Sequence, residues 1–347
     1  MLNQILPLYG ILPVKSNIQL FGDGLINHTW KITTENAGYI LQKVNQAVFK
    51  KPQDIDQNIS RLKAFLNQKH PEYLFVSPIT GTTGKSLMET SEGYFRLFPF
   101  VEDSHSLNVL SKKEEAYEAA RQFGRFSMLL NEFDVDQLYI TLPDFHNLTL
   151  RYAQFKNAVL HASPERKERS KELISFIEDN YSIVETYNQI ISNQEIPLRV
   201  IHHDTKINNV LFDRDGKGIC VIDLDTVMPG YFISDVGDMM RTYLSAANEE
   251  ETDFSKINIR TDFFKAIYDG YMLEMGSVLT ETEKSYFIYS GKFLIYMQAI
   301  RFLADYLEND VYYGAKYEGH NFIRAENQIT LLKRYQEAEP QLRSLIS

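Results

Sequence analysis

The sequence predicts an α+β protein in which a small strand-rich lobe is followed by a larger helical lobe. Through about residue 100, short runs of β-branched and aromatic residues are separated by glycine, asparagine or proline, which is typical of strands. Beyond Asp103 the chain instead shows apolar residues at the helical spacing of about 3.6 residues. A polar stretch separates the two patterns, so we predict one lobe over residues 1–103 and a second over residues 104–347.

Each predicted element follows from these periodicities. In the first lobe they predict a helix at Asp54–Lys69 and strands at Ile18–Phe21, Thr29–Thr33, Tyr39–Val44, Leu74–Ile79 and Tyr94–Val101. In the second lobe they predict helices at Glu114–Leu130, Glu165–Ile191, Thr261–Met275, Glu281–Leu307 and Ile323–Leu345. A strand pair, Val210–Asp213 and Gly218–Asp223, interrupts these helices.

Composition excludes several classes of protein. The formal net charge of −10 argues against a nucleic-acid surface. The single cysteine, Cys220, cannot form an internal disulfide, which is typical of a reducing compartment. The apolar stretch Phe287–Leu307 contains Lys292, Arg301 and Asp305, so no membrane span is expected. We therefore predict a cytoplasmic protein without nucleic-acid or membrane partners. The composition leaves its oligomeric state open.

The segment from Ile201 to Asp225 carries the strongest functional signal. Asp215-Gly216 favours a tight turn, and a hairpin centred there pairs residues whose numbers sum to 431. Asn209 and Asp223 would then stand side by side at the open end of the hairpin, about 5 Å apart. Asp204 lies in the loop that leads into the first strand.

These three side chains have the chemistry that phosphoryl transfer requires. An amide oxygen and a carboxylate are ligands that Mg²⁺ prefers, and a further carboxylate can orient a hydroxyl and accept its proton. Aspartates in a hairpin are also common on surfaces. Asp204 and Asp223, however, follow apolar strand-like runs, which favours a functional role.

The pattern His202-x-Asp204-x-x-x-x-Asn209, followed by Ile222-Asp223, resembles the signature of aminoglycoside phosphotransferases and choline kinases. The resemblance implies a protein-kinase-like two-lobed fold that uses ATP and Mg²⁺. It further implies that Asp204 is the catalytic base, that Asn209 and Asp223 bind Mg²⁺, and that His202 supports the loop. Asp235 corresponds to an acid that braces this loop; an N-cap role at a helix beginning near Val236 is an equal alternative.

Three further motifs, together with the Asp204 string, are similar to one branch of these enzymes, the N-acetylhexosamine 1-kinases. They are Thr141-x-Pro143-x-Phe145-His146-Asn147, Arg301-Phe302-Leu303-x-Asp305-Tyr306 and Gly319-His320-Asn321-Phe322-x-Arg324. This resemblance implies an amino sugar that is phosphorylated on its anomeric hydroxyl. It also implies that Arg301 and Tyr312 line the sugar beside Asp204.

Alternatives to this interpretation stay open. Arg301 could instead be an ion-paired residue at the edge of the core. The acceptor could be an aminoglycoside, choline or another amino-alcohol, and the chain could also be a catalytically inactive kinase-like binding module. The role of Phe145-His146-Asn147 has no explanation in the sequence.

The nucleotide side of the site is predicted from the first lobe. Gly22, Gly24 and Asn27 lie between two strands, as a flap over the ATP phosphates would, although a plain glycine-rich turn has the same composition. Lys43 is the predicted phosphate-binding lysine, but a register shift of one residue would replace it with Gln42. Phe100 and Val101 fall where a kinase hinge would bind adenine through its backbone.

Overall fold

The computed structural model describes residues 2–22 and 27–346 and divides into two compact units. The first unit contains Met1–Ser106, Glu132–Pro143 and Val210–Pro229, and the second contains Leu107–Asn131, Asp144–Asn209 and Gly230–Ser347. The boundary after Ser106 lies close to the one predicted at residue 103. The first unit also includes two later segments that the sequence analysis assigned to the second lobe.

The first unit is built on an antiparallel sheet. In the described part of the chain its strand order is β1-β2-β3-β5-β4. The strands are β1 (Asn17–Leu20), β2 (His28–Thr33), β3 (Gly38–Lys43), β4 (Leu87–Thr90) and β5 (Gly93–Pro99). The helices of this unit are α1 (Leu2–Ile5) and α2 (Pro52–Lys69). One face of the sheet packs on the residues around α1 through a core cluster of Ile5, Leu6, Ile11, Ile32, Leu41, Phe95 and Leu97.

A separate hairpin belongs to the first unit. Strands β7 (Val210–Phe212) and β8 (Gly218–Val221) pair Val210 with Val221 and Leu211 with Cys220. These pairs confirm the predicted register, and a bulge follows at Leu211/Phe212. Gly216 has a positive φ of 80°, which only glycine adopts without strain, so the turn lies where Asp215-Gly216 predicts it.

The second unit is mainly helical. Its long helices are α3 (Lys113–Leu129), α4 (Leu148–His161), α8 (Phe232–Tyr243), α9 (Thr261–Met275), α11 (Phe287–Leu307) and α12 (His320–Ile346). Shorter ones are α5 (Pro164–Arg169), α6 (Lys171–Asp179), α7 (Ser182–Ser192) and α10 (Glu281–Ser285). The remaining strands of the chain are β6 (Arg199–Ile201) and β9 (Met228–Gly230).

Two contacts organise these helices. α11 is buried on nearly all sides and packs on α4, α8 and α12. α3 packs along α9, where a Cβ atom on Gly270 would approach the carbonyl oxygen of Tyr117 to 2.2 Å. A larger residue than glycine would therefore force the two helices apart. Among residues 2–22 and 27–346, no helix combines the length and hydropathy needed to cross a membrane.

The α+β class with a small antiparallel-sheet lobe and a larger helical lobe is confirmed, but several element predictions are wrong. Leu74–Ile79 is not a strand: Pro78 has no N–H to donate, and a single bond joins Ile79 N to Leu97 O at 2.6 Å. The predicted helices at Glu165–Ile191 and Glu281–Leu307 are divided into three and two helices. In the described part of the chain, five elements have no counterpart among the predictions, namely α1, β4, α4, β6 and β9, and α8 begins at Phe232 rather than near Val236.

Candidate active site

The loop that carries Asp204 is held by a buried carboxylate. Asp235 lies in the first turn of α8 and is fully buried. The backbone N–H of His202 donates to its Oδ2 at 2.9 Å, and that of His203 donates to its Oδ1 at 2.7 Å. α8 begins at Phe232, so Asp235 is not the N-cap residue. Burial raises the pKa of Asp235 to about 7, against the effect of its two N–H donors.

A second carboxylate holds the residues that follow Asp204. Asp238 accepts the backbone N–H of Thr205 at 2.9 Å, and the Thr205 hydroxyl donates to the carbonyl oxygen of Asp235 at 2.9 Å. Tyr243 donates from its hydroxyl to the carbonyl oxygen of Thr205. The backbone is therefore bonded on both sides of Asp204, which restricts the directions that its side chain can take.

The residue before Asp204 has an unusual conformation. His203 has a φ of +65°, in the left-handed region that a residue with a Cβ atom adopts at a cost of about 1–3 kcal/mol. Gly230 permits this placement, because a Cβ there would lie 2.5 Å from His203 Nε2. His202 is fully buried, with its ring edge-to-face with those of Phe123 and Phe126 at 5.2 and 6.2 Å. The loop-supporting role that the family resemblance implies for His202 stays a prediction.

Asp204 forms an ion pair with Lys206. The Lys206 Nζ atom lies 3.0 Å from Asp204 Oδ1, and the Asp204 side chain is 23% exposed. Burial acts to raise the pKa of Asp204, but the charges of Lys206, His202 and Arg241 outweigh it, so the pKa lies below its ordinary value. Asp204 is thus an ionised, solvent-accessible carboxylate. Sequence reasoning missed Lys206, although its spacing of two residues from Asp204 in a loop was a usable signal.

The orientation of the Asn209 side chain is suitable for a metal ligand. Its Nδ2 donates to the carbonyl oxygen of Asp204 at 2.9 Å, and its side chain is buried. Within the described ranges no donor contacts its Oδ1 atom, so this hard oxygen is available to a cation such as Mg²⁺. Among the described residues no group of three His, Cys, Asp or Glu side chains forms a metal cluster.

A chain of ion pairs extends from the Asp204 loop. Asp238 binds Arg241 at 3.0 Å, Arg241 binds Glu249 at 3.0 Å, and Glu249 in turn contacts Arg324. The Arg324 guanidinium stacks on Phe302, 3.8 Å from the ring centroid. The Gly319–Arg324 motif is thereby joined to the loop in one network.

Arg301 and Arg324 border a group of aromatic rings. The Arg301 guanidinium lies 5.4 Å from the ring centroid of Tyr313 and 5.9 Å from that of Tyr312. Arg324 lies 5.3 Å from the Tyr313 ring. Tyr312, a predicted substrate contact, is 72% exposed. We call Arg301, Tyr312, Tyr313 and Phe145 the aromatic–arginine cluster.

Asp305 fixes the backbone of this cluster. It is buried and accepts the backbone N–H groups of Tyr312 and Tyr313 at 2.7 and 2.9 Å. Asn321 donates to the same carboxylate at 3.0 Å and to the carbonyl oxygen of Gly314 at 2.9 Å. The Arg301–Tyr306 and Gly319–Arg324 motifs therefore act together to hold the loop that carries both tyrosines.

The Phe145-His146-Asn147 turn, unexplained by the sequence, joins the loop to the cluster. Phe145 stacks on His146 at 4.4 Å, the His146 ring lies 5.4 Å from that of His203, and Arg301 lies 5.9 Å from Phe145. Asn147 caps α4 by accepting the N–H of Leu150. Burial, His203 and nearby arginines lower the pKa of His146 well below its ordinary value, so its ring is neutral.

In the first unit, Asp225 is held by several partners. It forms a buried ion pair with Arg96 at 2.5 Å, and its Oδ2 accepts Nδ2 of Asn27 at 2.9 Å. Its carbonyl oxygen accepts the Thr141 hydroxyl at 2.8 Å, which gives the Thr141 motif a structural role. Asp223, two residues earlier, has a φ of +60°. Sequence reasoning did not predict the ion pair of Arg96 with Asp225, because it joins distant parts of the chain.

The structure places Lys43 and Gln42 on opposite faces of the sheet. Alternate residues of a strand point to opposite faces, and Lys43 pairs with Phe95 on the face that carries the core residues Leu41 and Leu97. The neighbouring Gln42 instead shares a face with Arg96 and accepts its N–H groups. This placement argues against a phosphate contact from Lys43.

The other predicted nucleotide residues are placed as follows. Gly22 has a φ of +75°, Asn27 holds Asp225, and Gly24 lies outside the described residues. The backbone N–H of Phe100 donates to the carbonyl oxygen of Gly38 at 3.0 Å. The Val101 carbonyl accepts the Ser104 hydroxyl at 2.6 Å. An adenine base would therefore have to bind the carbonyl oxygen of Phe100 or the backbone N–H of Val101.

Comparison with known proteins identifies the family. Residues 17–255 match the model of the APH phosphotransferase enzyme family. The chain belongs to this family. It is thus an ATP-dependent phosphotransferase with an alcohol group as the acceptor.

Solved structures support the fold over the whole chain. An aminoglycoside phosphotransferase from Alicyclobacillus acidocaldarius has a TM-score of 0.64 at 12% identity, covering 98% of this chain and 95% of that one. A spectinomycin phosphotransferase solved with ADP and spectinomycin has a TM-score of 0.60 at 14% identity, covering 97% and 98%. A choline kinase from Cryptosporidium parvum has a TM-score of 0.55 at 12% identity, covering 97% and 95%. At these identities the likeness establishes the kinase-like fold and leaves the acceptor open.

Proposed function

We propose that this phosphotransferase is an N-acetylhexosamine 1-kinase, which transfers the γ-phosphate of ATP to the anomeric hydroxyl of an N-acetylated amino sugar. The observation that carries the proposal is the aromatic–arginine cluster in the same unit as Asp204. Arg301 of the cluster and the neighbouring Arg324 favour an uncharged, polar acceptor, and the exposed Tyr312 ring can pack on a sugar.

Charge distinguishes this acceptor from a cationic one. Arg301 and Arg151 lie close enough to lower the pKa of His146, and Arg301 also lowers that of Arg151. A choline or aminoglycoside ammonium group placed among these guanidinium groups would be repelled. The acetamido group and hydroxyls of an N-acetylhexosamine carry no charge and can accept N–H groups from arginine. The buried Nδ1 atom of His146, which lacks a hydrogen-bond partner in the described part of the chain, is a further polar contact for such a ligand.

The proposed chemistry uses the ionised carboxylate of Asp204. It accepts the proton of the anomeric hydroxyl while that oxygen forms a bond to the γ-phosphorus and the bond from this phosphorus to the ADP oxygen breaks. Lys206 stabilises the ionised form of Asp204 and can bind a phosphoryl oxygen as charge develops. We assign Asn209 and Asp223 as ligands of Mg²⁺, which neutralises charge on the transferred group when it is bound.

A substrate panel tests this proposal. ADP release is measured with N-acetylglucosamine, N-acetylgalactosamine, glucosamine, choline, ethanolamine and kanamycin at equal concentration. We expect turnover with the N-acetylated sugars, and phosphorus NMR should show a phosphate ester on the anomeric carbon. Turnover confined to choline, ethanolamine or kanamycin would refute the acceptor assignment while leaving the kinase intact. An absence of ADP release with every acceptor would favour a binding module.

The Arg301→Met variant tests the role of the cluster. It removes the charged donors but keeps an apolar stem, so we expect the KM for the N-acetylated sugar to rise roughly tenfold, with the KM for ATP unchanged. Arg334→Met, at a half-exposed ion pair on α12, is the matched control and should leave both values unchanged. An unchanged sugar KM in Arg301→Met would assign Arg301 to packing instead.

A further inference from the structure

Arg96 is a buried cation on the sheet face opposite the core cluster. It lies in β5, and its side chain is 3% exposed. Its Nε and Nη2 atoms donate to Gln42 Oε1 at 3.1 and 2.9 Å, and its Nη1 atom lies 2.5 Å from Asp225 Oδ1. Gln42 is its direct partner across β3 and β5. The guanidinium is therefore fixed from two sides.

The other cation of strands β3 and β5 is Lys43, which lies on the opposite face of the sheet from Arg96. Lys43 pairs with Phe95, and its Nζ atom lies 5.9 Å from the Phe95 ring. Its Cε atom is 3.3 Å from where a Cβ on Gly93 would stand. Since Lys43 is the sole cationic residue in the sequence of β3, that strand brings no positive charge to the face where Asp225 is bound.

The contacts of Arg96 leave donors unused. A guanidinium has five N–H groups, and the observed hydrogen bonds engage Nε and Nη2, both with Gln42, whereas Nη1 is in ion-pair contact with Asp225. Within residues 2–22 and 27–346, the side-chain hydrogen bonds of Arg96 go to Gln42 alone, and its guanidinium also lies 5.1 Å from the Phe98 ring. Donors left without acceptors in a buried site are costly, so the arrangement fits a ligand with anionic oxygens. Asp223 is also close enough for its charge to act on Arg96.

We propose that Arg96 binds a phosphate oxygen of the nucleotide, in the role that a lysine on β3 would have, and that Gln42 and Asp225 orient it. This inference rests on the proposed function, because it assigns a contact to the nucleotide of that reaction. It names Arg96 as a nucleotide-binding residue and Gln42 and Asp225 as positioning residues. A planar guanidinium suits this task because it can bind a phosphate with two parallel N–H groups.

Nucleotide titration without any acceptor tests the inference. The dissociation constants of Mg·ADP and of adenosine are measured by calorimetry for the wild type, Arg96→Met, Arg96→Lys and Lys43→Met. We expect Arg96→Met to weaken Mg·ADP at least about tenfold and adenosine less than about twofold, because adenosine has no phosphate. Arg96→Lys should be intermediate, since it keeps the charge but not the planar fork. Lys43→Met should change neither constant by more than about twofold.

Three outcomes would overturn the assignment. An equal loss of adenosine and ADP affinity in Arg96→Met would show a purely structural role, and a loss of ADP affinity in Lys43→Met alone would restore Lys43. Because Arg96→Met leaves the Asp225 charge buried, the double variant Arg96→Met/Asp225→Asn removes both charges and is compared by circular dichroism and the same titrations. If the wild type bound no nucleotide, the proposed function itself would fall, whereas normal ADP binding by a folded Arg96→Met variant removes this inference alone.

Discussion

The loop around Asp204 in the second unit and the segment Asp223–Asp225 in the first each contain a non-glycine residue in the left-handed region. In the loop it is His203, with a φ of +65°, and in the segment it is Asp223 itself, with a φ of +60°. Such conformations persist only where the surroundings enforce them, and they are frequent at functional sites. The two segments therefore share a residue with left-handed backbone angles but differ in the groups that hold the backbone there.

The difference is in the chemistry of the bracing groups. Around Asp204, the carboxyl groups of Asp235 and Asp238 accept backbone N–H groups, so acidic side chains hold the chain. In the segment, the cation Arg96 and the amide of Asn27 hold the side chain of Asp225. We infer that the first arrangement fixes a backbone from which an exposed base projects. The second fixes one carboxylate and so directs its neighbour, Asp223.

The largest expected effect separates Asp223 from the other aspartates of its hairpin. Asp223→Ala removes a proposed Mg²⁺ ligand, so we expect turnover to fall by at least about 1,000-fold at any Mg²⁺ concentration. Asp215→Ala, at the exposed turn of the same hairpin, is the control and should keep wild-type turnover. Activity is measured as ADP release over a Mg²⁺ titration. Full activity of Asp223→Ala would refute the assignment of Asp223 as a Mg²⁺ ligand.

Asp204→Asn should have the next largest effect. The amide keeps the shape but cannot accept the hydroxyl proton, so we expect kcat to fall by about 10²–10⁴ while the Kd for ATP stays within about threefold. Comparable activity in this variant would refute the role of Asp204. Since the pKa of Asp204 lies below its ordinary value, the wild type should lose activity through this group only at a pH lower than that at which an ordinary aspartate titrates. Lys206→Met removes the main opposing charge, so the acid limb should move to higher pH.

Asp235→Asn tests the acidic brace. An amide can accept one N–H through its oxygen, but its NH₂ group faces the second N–H, so we expect unfolding to become easier by about 2–4 kcal/mol. Urea denaturation measures this change, and kcat should fall as the loop loosens. Asp262→Asn is the control, because Asp262 also lies in the first turn of a helix but is exposed; it should change stability by less than about 0.5 kcal/mol. Equal effects would mean that Asp235 does not brace the loop.

Local signals predicted much of the fold. The register of the β7–β8 hairpin follows from the Asp215-Gly216 turn, and α9 occupies Thr261–Met275 as its spacing predicts, because both depend on neighbouring residues. α8 was predicted only as a helix beginning near Val236 and not from periodicity, because most of its residues are buried, which removes the polar stripe that a periodicity search requires. The interruptions in the Glu165–Ile191 pattern were also missed, since α5, α6 and α7 all keep helical spacing.

The candidate site was predictable where its residues share one motif. Asp204, Asn209 and His202 lie within eight consecutive positions, and the structure links Asp204 and Asn209 directly. Arg96 and Asp225 are separated by more than a hundred residues, so only strand pairing and folding bring them together. The choice between Gln42 and Lys43 depended on a register that a single strand does not reveal, and the strand pairing places Gln42 on the face that carries Arg96.

The smallest expected effects come from removing one threonine hydroxyl that holds each segment. Thr141 donates to the carbonyl oxygen of Asp225 at 2.8 Å, and Thr205 donates to that of Asp235 at 2.9 Å. Valine has the same shape without the hydroxyl, so Thr141→Val should lower the free energy of unfolding by about 1 kcal/mol. Thr205 is fully buried and also lies 3.4 Å from the Asp238 carboxylate, so Thr205→Val should cost about 2 kcal/mol. Urea denaturation of both variants ranks the two braces. If Thr141→Val lost more unfolding free energy than Thr205→Val, the ranking would be wrong. The Asp225 segment would then depend more on its threonine hydrogen bond than the Asp204 loop does.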